Sequence, residues 1–391
     1  MHKTTGYFSF AAFALVSAAA LPASAQDCAD LPNPIYGLGA NAVKPLFKRL
    51  GQALSNATVP ETIVYQAPGQ CSGINALIAG TPITGTASYW DGSGVEGTCT
   101  LPLAGTTIDF AAMNSYATLC PGVEALPEGV GDFLGPIQSF DFIVPKASSQ
   151  TSISAAGAYF VYGFGAEGQA EPWTDESQIF KRDPNSGVSL FVALAIGVPV
   201  EKLKGIDATT NANTVTLVST SPQPERALGI VSGEVAQANN DVVSSLAYQH
   251  YDQDCGYYPN STATSLDKRN IRDGHYWIWS PIHFFAEVGD NGVPLSEGAE
   301  HLIGYFTGAV PAPDDIDMLD LEIASGTIPD CAMTVRRSGD LADLESYWPD
   351  EPCGCFFEAE ATGTTTCEVC DGDDACPSEA PHCRFGYCEV N

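Results

Sequence analysis

Hydrophobic and polar positions along the chain alternate between short strand-like runs and longer helical patches. Apolar runs typical of strands are found at 62–66, 107–112, 140–144 and 214–218. Helical spacing of apolar residues occurs at 42–50, 73–78, 152–162, 188–196 and 226–239. This alternation indicates an α/β fold, and because the region from 26 to about 350 exceeds one usual core, two lobes are expected.

The first 25 residues have the pattern of a secretory signal peptide. Lys3 precedes an apolar run at 8–21, and small residues at 23–25 predict cleavage after Ala25. Two residues separate that point from Cys28, so a lipid anchor is not expected. No later apolar run approaches the roughly 20 residues of a membrane span. We expect the mature protein to be soluble and either periplasmic or extracellular.

The chain is strongly acidic, with 47 acidic and 16 basic side chains and a formal net charge of −31 at pH 7. Such a surface repels nucleic acid and anionic lipid, so neither is expected as a partner. It also repels anionic ligands at long range, so an anion site must rely on short-range hydrogen bonds. Acidic residues recur at 314–322 and 340–351, where we interpret them as the solvated faces of two short helices.

The thirteen cysteines are consistent with an oxidising compartment. Six are spread over the body, and seven lie in a final segment with almost no aliphatic residues, for which we predict a disulfide-rich knob at 353–391. The spacing of Cys367 and Cys370 also occurs in zinc sites, but disulfides are favoured because no histidine lies nearer than His382. The odd total leaves at least one cysteine without a partner within the chain, and the spacing does not fix the pairing.

The segment 180–191 combines anion-binding residues with the start of a predicted helix. Arg182 precedes Asn185, Ser186 and Gly187, and an apolar helical pattern follows them. Backbone N–H groups at a helix start, with an arginine beside them, can hold an oxyanion. The alternative interpretation is an ordinary helix cap without a ligand.

Three earlier loops also place small or polar residues where a strand leads into a helix. They lie at 36–41, 69–73 and 112–115. In α/β sheets, ligands bind at this edge. Glycine and asparagine are also common turn residues, so any one loop could be only a turn. Four such loops in this order are harder to explain in that way.

The order of these loops resembles the phosphate-binding component of bacterial high-affinity phosphate uptake, a type II periplasmic binding protein. That family has Gly-Ala-Gly-Ser/Ala-Thr, Tyr-Gln-Gly-Ile-Gly-Ser-Ser/Gly-Gly-Gly, Asp-Phe-Gly-Ala-Ser-Asp and Arg-x-Asp-Gly-Ser-Gly-Thr. The counterparts here are Gly37-Leu38-Gly39-Ala40-Asn41, Tyr65-Gln66-Ala67-Pro68-Gly69-Gln70-Cys71-Ser72-Gly73, Asp109-Phe110-Ala111-Ala112-Met113-Asn114 and Arg182-Asp183-Pro184-Asn185-Ser186-Gly187-Val188. The resemblance covers 33 to about 290 and leaves out the Cys-rich tail.

The resemblance implies an α/β, two-lobed type II periplasmic binding protein fold with a hinge, to which the disulfide-rich tail is added. Lobe I would comprise 27–147 and 243–350, and lobe II would comprise 148–242. The ligand would be a small oxyanion, phosphate or phosphate-like, which a monomeric protein delivers to the permease of an ABC transporter. The ligand contacts that it implies are Gly39, Ala40, Asn41, Gln70, Cys71, Ser72, Asn114, Arg182, Asn185, Ser186 and Gly187.

Three positions depart from the family pattern. Asn114 replaces the carboxylate that accepts the proton of phosphate, and an amide, which both donates and accepts, rejects sulfate less strongly. Gln70 replaces a serine, and Val188 replaces a threonine. These changes and the tail leave an alternative function: a cell-surface structural or adhesion protein that has kept the fold and lost the ligand.

Catalysis has little support in the sequence. It contains no Gly-x-Ser-x-Gly elbow, His-Glu-x-x-His or complete P-loop. Cys71 is the conspicuous nucleophile candidate, but in an exported protein a disulfide with Cys99 or Cys120 is favoured. We therefore expect no enzymatic activity, no metal and no cofactor.

Overall fold

The computed structural model describes His2 and residues 26–390. The rest of the predicted signal peptide, with its cleavage site after Ala25, lies outside the described residues. No helix in the described part of the chain is long and apolar enough to cross a membrane.

Ten α-helices occur among the described residues. They are α1 (Lys44–Asn56), α2 (Gln70–Ala79), α3 (Ala155–Phe164), α4 (Gly187–Ile196), α5 (Asn211–Ser219), α6 (Gly233–Ala238), α7 (Arg269–Arg272), α8 (Glu297–Thr307), α9 (Met318–Ala324) and α10 (Gly354–Thr362). The same residues form eighteen strands. They are β1 (Gln26–Asp27), β2 (Pro34–Gly39), β3 (Thr62–Gln66), β4 (Thr86–Trp90), β5 (Glu96–Thr100), β6 (Phe110–Met113), β7 (Val130–Pro145), β8 (Ser152–Ser154), β9 (Ile179–Lys181), β10 (Ile206–Asp207), β11 (Leu228–Ser232), β12 (Val243–Ser245), β13 (Ala247–Gln249), β14 (Trp279–Glu287), β15 (Val335–Arg336), β16 (Glu345–Ser346), β17 (His382–Arg384) and β18 (Tyr387–Glu389).

One sheet of twelve strands runs through the body. Its order is β1-β5-β4-β3-β2-β6-β14-β7-β11-β9-β10, and β12 also pairs with β7. Strands β2, β3 and β6 are parallel, so their carboxyl ends meet at one edge. The long strand β7 pairs with β14 in its first part and with β11 and β12 in its last part. It therefore joins the two halves of the sheet.

Most of the elements predicted from the hydrophobic pattern are confirmed. The strand at 62–66 coincides with β3, 140–144 lies within β7, and 107–112 overlaps β6. The helical patches at 42–50, 73–78, 152–162 and 188–196 correspond to helices α1 to α4. The patch at 226–239 is helical only in its second half, because it contains strand β11 followed by α6.

The predicted strand at 214–218 is wrong, because these residues lie in helix α5. Thr210 caps this helix, and its side chain accepts the backbone N–H of Asn213 at 3.1 Å. Thr214 and Val218, four residues apart, face Gly229 of β11, where there is no side chain to exclude them. The β-branched residues thus cover one helical face, and packing on the sheet overrides their preference for strands.

The predicted acidic helix at 340–351 is also wrong. The segment consists of turns and the short strand β16, which pairs with β15. Asp340 points inwards and accepts the backbone N–H of Tyr116 at 3.1 Å, so it does not belong to a solvated helical face. The other acidic segment, 314–322, overlaps helix α9, but Glu322 is buried, so the predicted solvated face is only partly present.

The two halves of the sheet that β7 joins have separate aromatic cores. In the first lobe, the rings of Phe47 and Phe110 lie 5.6 Å apart. In the second lobe, Phe140 stacks on Phe191 at 4.9 Å. This second core also contains side chains from 246–279 and 323–357, which the sequence assigned to lobe I. The residue bounds of the two lobes therefore remain a prediction.

Six disulfides occur in the described residues. They are Cys28–Cys99, Cys71–Cys120, Cys331–Cys353, Cys355–Cys367, Cys370–Cys383 and Cys376–Cys388. Cys71 pairs with one of its two predicted partners. Cys367 and Cys370 both lie in disulfides, which were favoured over zinc. Cys255 is free and exposed.

The first part of the Cys-rich tail packs against the body. A disulfide joins Cys353 to Cys331, and Phe357 of helix α10 is buried in the second core. Arg272 of the body donates a hydrogen bond from Nη2 to the backbone oxygen of Gly354 at 3.1 Å. The disulfide-rich region is thus present, but it is anchored to the body through its first ten residues.

Candidate ligand site between the lobes

The loops that follow β2 and β6 are held together by backbone contacts. Gly39 has a φ of +152°, and a methyl group there would lie 2.0 Å from the oxygen of Ala112. The next residue, Ala40, donates its backbone N–H to that same oxygen at 2.8 Å. Asn41 then begins a short 3₁₀ turn that leads into α1. The first and third predicted loops therefore lie side by side, and glycine is required at their contact.

Gln70 joins the second loop to the third. Its side chain is fully buried, and its Nε2 donates to Ser115 Oγ at 3.0 Å. Its Oε1 accepts the backbone N–H of Asn114 at 3.2 Å. The next residue, Cys71, is held in its disulfide with Cys120. The half-buried Ser72 donates its backbone N–H to the backbone oxygen of Gly69 at 3.1 Å. Gln70 thus ties the second loop to the third through Ser115 and the backbone of Asn114.

The start of helix α4 lies directly against these loops. A methyl group on Gly187 would lie 2.6 Å from Gln70 Oε1 and 3.0 Å from Asn114 Oδ1. Ser186 caps the helix without a side-chain hydrogen bond to it, and the exposed Asn185 lies against Gly69. The four predicted loops therefore converge where the two lobes touch. In this arrangement, the Gln70 and Asn114 side chains fill the space in front of the helix.

Arg182 is buried beside this contact but is directed elsewhere. Its Nε donates to the backbone oxygen of Thr209 at 3.1 Å, and its Nη1 donates to Asn211 Oδ1 at 2.8 Å. Burial lowers the pKa of the guanidinium, while Asp183 and Asp207 act in the opposite direction. Within residues 26–390, its side-chain hydrogen bonds stay in the second lobe. The structure therefore brings Arg182 near the convergence without bonding it to Gln70 or Asn114.

Two buried residues that the sequence analysis missed extend the site. Gln138 of β7 accepts a hydrogen bond from Asn114 Nδ2 and donates to the backbone oxygen of Ala42 at 2.9 Å. Glu234 accepts a hydrogen bond from Ser232 Oγ, and burial raises the pKa of its carboxyl group to about 7. Asn114 Oδ1 and Glu234 Oε2 are buried without a hydrogen-bond partner in the described part of the chain.

The sequence contained a signal for one of these residues. Ser232-Gly233-Glu234 follows strand β11 and leads into α6, which repeats the strand-to-helix pattern of the other loops. Gln138 gave no such signal, because it lies within a largely apolar strand. Gln138 lies in the site only because β7 passes from one lobe to the other, and the sequence pattern does not show this passage.

Comparisons with known proteins identify the fold. No known family model matches the chain, and no curated protein matches it either. Among solved structures, it is similar to a protein described as a phosphate ABC transporter substrate-binding protein, with bound phosphate, from Clostridium perfringens. The two are 14% identical with a TM-score of 0.52, over 76% of this chain and 99% of that one.

An ABC-type phosphate transport receptor from Vibrio cholerae is similar to the same extent. It is 15% identical with a TM-score of 0.51, over 76% of this chain and 100% of that one. At these identities the likeness concerns the fold. The chain has the mixed α/β fold of these periplasmic binding proteins, and it carries an additional disulfide-rich region.

Proposed function

We propose that this protein is an exported solute-binding protein that holds a small oxyanion, phosphate or phosphate-like, between its two lobes and delivers it to the permease of an ABC transporter. The observation that carries the proposal is the convergence of three first-lobe loops on the start of helix α4. The fold supports it, because the two structural neighbours are phosphate-transport proteins by description.

Helix α4 supplies the chemistry for an anion. The first N–H groups of a helix have no partner within it, and the aligned peptide dipoles favour negative charge at that end. Val188 and Ser189 continue the helix from Gly187, so their N–H groups are directed towards the contact with Gln70 and Asn114. Arg182 would add charge if ligand binding redirected its remaining N–H groups.

Ligand entry requires a change at the contact between the lobes. Gln70 occupies the approach to Gly187, so an anion can reach the helix only when the lobes separate or when the Gln70 side chain turns away. Binding proteins of two lobes exchange between open and closed states, and a ligand shifts the population towards the state that it contacts more fully. The arrangement described above therefore corresponds to a closed state in this proposal.

The test is calorimetric titration of the mature protein with phosphate, sulfate and related oxyanions at low salt. We expect saturable binding of at least one anion with a stoichiometry of one. A Gly187→Ala variant should weaken this binding, because its methyl group would occupy the space beside Gln70 Oε1 and Asn114 Oδ1 that the anion must enter. Gly372→Ala, whose methyl group would have nothing within 4 Å, is the control and should bind normally.

A second candidate function is a structural or adhesion protein on the same fold. It is favoured by Gln70, whose Oε1 already accepts the Asn114 N–H that an anion would otherwise bond, and whose Nε2 donates to Ser115 Oγ. Absence of binding across the whole anion panel, in protein with a cooperative unfolding transition, would support this function and contradict the transport proposal.

A further inference from the structure

A cavity of about 200 Å³ lies beside strand β7, away from the predicted anion contacts. It is bounded by β7, β12, helix α6 and the segment 258–268. Polar side chains of its wall include Asp141, Lys146, Ser245, Asn260, Thr264 and Lys268. None of these residues belongs to the site proposed between the lobes.

Lys268 is the unusual member of this wall. It is only 3% exposed, and its ammonium forms no hydrogen bond or ion pair within the described residues. Its backbone is fixed, because its N–H donates to Asn260 Oδ1 at 2.9 Å and its φ is +49°. An ammonium group has three donors and no acceptor. Lys268 lines the cavity, so its donors are open to an acceptor held there.

The acidic groups near Lys268 attract it without bonding to it. Burial lowers the pKa of its ammonium, while Asp141, Glu234 and Asp267 act in the opposite direction. Asp141 accepts hydrogen bonds from Ser139 Oγ at 3.0 Å and from Ser245 Oγ at 2.8 Å. None of these carboxylates forms a hydrogen bond with the ammonium, so its donors can bond an acceptor in the cavity.

The loop that forms the outer wall is organised by its own hydrogen bonds. Ser261 donates its backbone N–H to Asp267 Oδ1 at 2.8 Å, and Thr262 donates its backbone N–H to Ser265 Oγ at 2.9 Å. Lys146 lies on the exposed part of the wall and adds a second positive charge. The cavity is thus preformed, and its wall holds Lys146, Lys268 and Asp141, with Glu234 and Asp267 close to Lys268.

We propose that this cavity is a second binding site, which takes a compact oxygen-bearing anion, a small carboxylate or an inorganic oxyanion, with the Lys268 ammonium as its donor. A volume of about 200 Å³ is below the roughly 300–1,000 Å³ of pockets that bury drug-sized ligands. The occupant is therefore compact, like acetate, glycolate, phosphate or sulfate. This site does not depend on the function proposed for the contact between the lobes.

The test uses the unmutated mature protein, isotopically labelled and titrated separately with acetate, glycolate, phosphate and sulfate at constant ionic strength. Assigned backbone amide resonances report which site responds. We expect saturable shifts at 258–268 with at least one of the four anions. The carboxylates and the inorganic anions form separate arms, so the response also identifies the class of ligand.

Two variants then separate the role of Lys268 from general electrostatics. Lys268→Gln should weaken the binding at 258–268 at least tenfold, whereas Lys146→Gln, a matched loss of charge on the exposed wall, should weaken it less than threefold. Shifts confined to 70–72 and 187–189 would show that only the site between the lobes binds anions and would overturn this proposal. Equal binding by Lys268→Gln and the unmutated protein would overturn it as well.

Discussion

Gln70 Oε1 accepts the backbone N–H of Asn114 at 3.2 Å, and the same oxygen lies closest to the position that a methyl group on Gly187 would occupy. One side chain thus bonds two first-lobe loops and also contacts the second lobe. It competes directly with any anion for the Asn114 N–H, because both offer an oxygen acceptor at the same place.

Replacing Gln70 by serine should therefore strengthen anion binding. The shorter side chain frees the Asn114 N–H, and a buried donor without a partner costs about 1–3 kcal/mol, which a bound anion would recover. We expect the dissociation constant for the preferred anion to fall about tenfold by calorimetry. Gln66→Ser, a glutamine that bonds to backbone oxygens at 84 and 86, is the control. An unchanged constant in Gln70→Ser would place the anion elsewhere.

Asn114→Asp should restore discrimination between phosphate and sulfate. A carboxylate accepts the proton that phosphate carries and sulfate lacks, and two facing acceptors repel. We expect the ratio of the sulfate and phosphate dissociation constants to rise at least tenfold at neutral pH. Asn239→Asp, which makes the same charge change at a distant hydrogen bond, should leave the ratio unchanged. If the native protein already rejects sulfate and the ratio does not move, another acceptor supplies the selectivity.

Arg182→Ala should reduce both stability and anion affinity. Its guanidinium bonds Thr209 and Asn211, so its loss should lower the free energy of unfolding by about 1–3 kcal/mol. Loss of a charged donor should weaken anion binding by about 1.5–3 kcal/mol. Asn211→Ala removes one of these two hydrogen bonds but keeps the charge, so it should lose stability and keep most of the affinity. Equal affinities in the two variants would remove Arg182 from the anion site.

Truncation should depend on where the tail is cut. A chain that stops after Pro349 leaves Cys331 unpaired and removes Phe357 from the second core, so its unfolding free energy should fall by about 2–5 kcal/mol. A chain that stops after Gly363, with Cys355→Ser to avoid a free thiol, keeps both and should unfold like the full protein. Equal denaturation midpoints for the two truncations would show that α10 contributes nothing to the body.

Buried Glu234 should make stability depend on pH. Its folded pKa of about 7 is raised from 4.5 by burial, so the native state binds its proton more tightly than the unfolded chain does. This contribution to stability is complete below about pH 4.5 and is lost as the pH rises through about 7, with a total on the order of 3 kcal/mol.

Urea unfolding at pH 5 and pH 8 measures this dependence. Glu234→Gln should show a smaller loss of stability between the two values than the unmutated protein does. The exposed Glu201→Gln, as control, should behave like the unmutated protein. Glu322, whose pKa is raised by burial to about 8, will keep part of the dependence in every variant. An identical loss in Glu234→Gln would show that Glu234 does not bind its proton in this way.

The sequence predicted the elements whose local signals and packing agree. Helix α4 has a polar start and a continuous apolar segment, and strand β3 has a run of β-branched residues, so both were predicted where they occur. Helix α5 was predicted as a strand because Thr214 and Val218 favour strands locally. Both residues contact Gly229, which lies 11 residues after Val218 and 15 after Thr214, so no local sequence pattern contains this contact.

The candidate site was predictable to the extent that it consists of loops at strand ends. The convergence of those loops follows from the parallel strands β2, β3 and β6, which the alternating pattern implied. The orientation of Arg182 towards Thr209, and the interposed side chain of Gln70, depend on how the lobes meet. Side-chain direction at such a contact is fixed by packing between distant segments, which residue types at given spacings do not specify.

Strand β7 spans 16 residues, a length of about 54 Å at about 3.4 Å per residue, and its ladder passes from β14 to β11 without a break in the chain. The register with β14 shifts at Gly135 and Pro136, and the proline has no N–H to contribute to the ladder. Any relative movement of the lobes must therefore twist or bend β7 together with β14, which also has residues in both cores, most easily at that shift. We therefore expect the energy needed to move one lobe relative to the other to rise with the angle between them, because these strands must bend further.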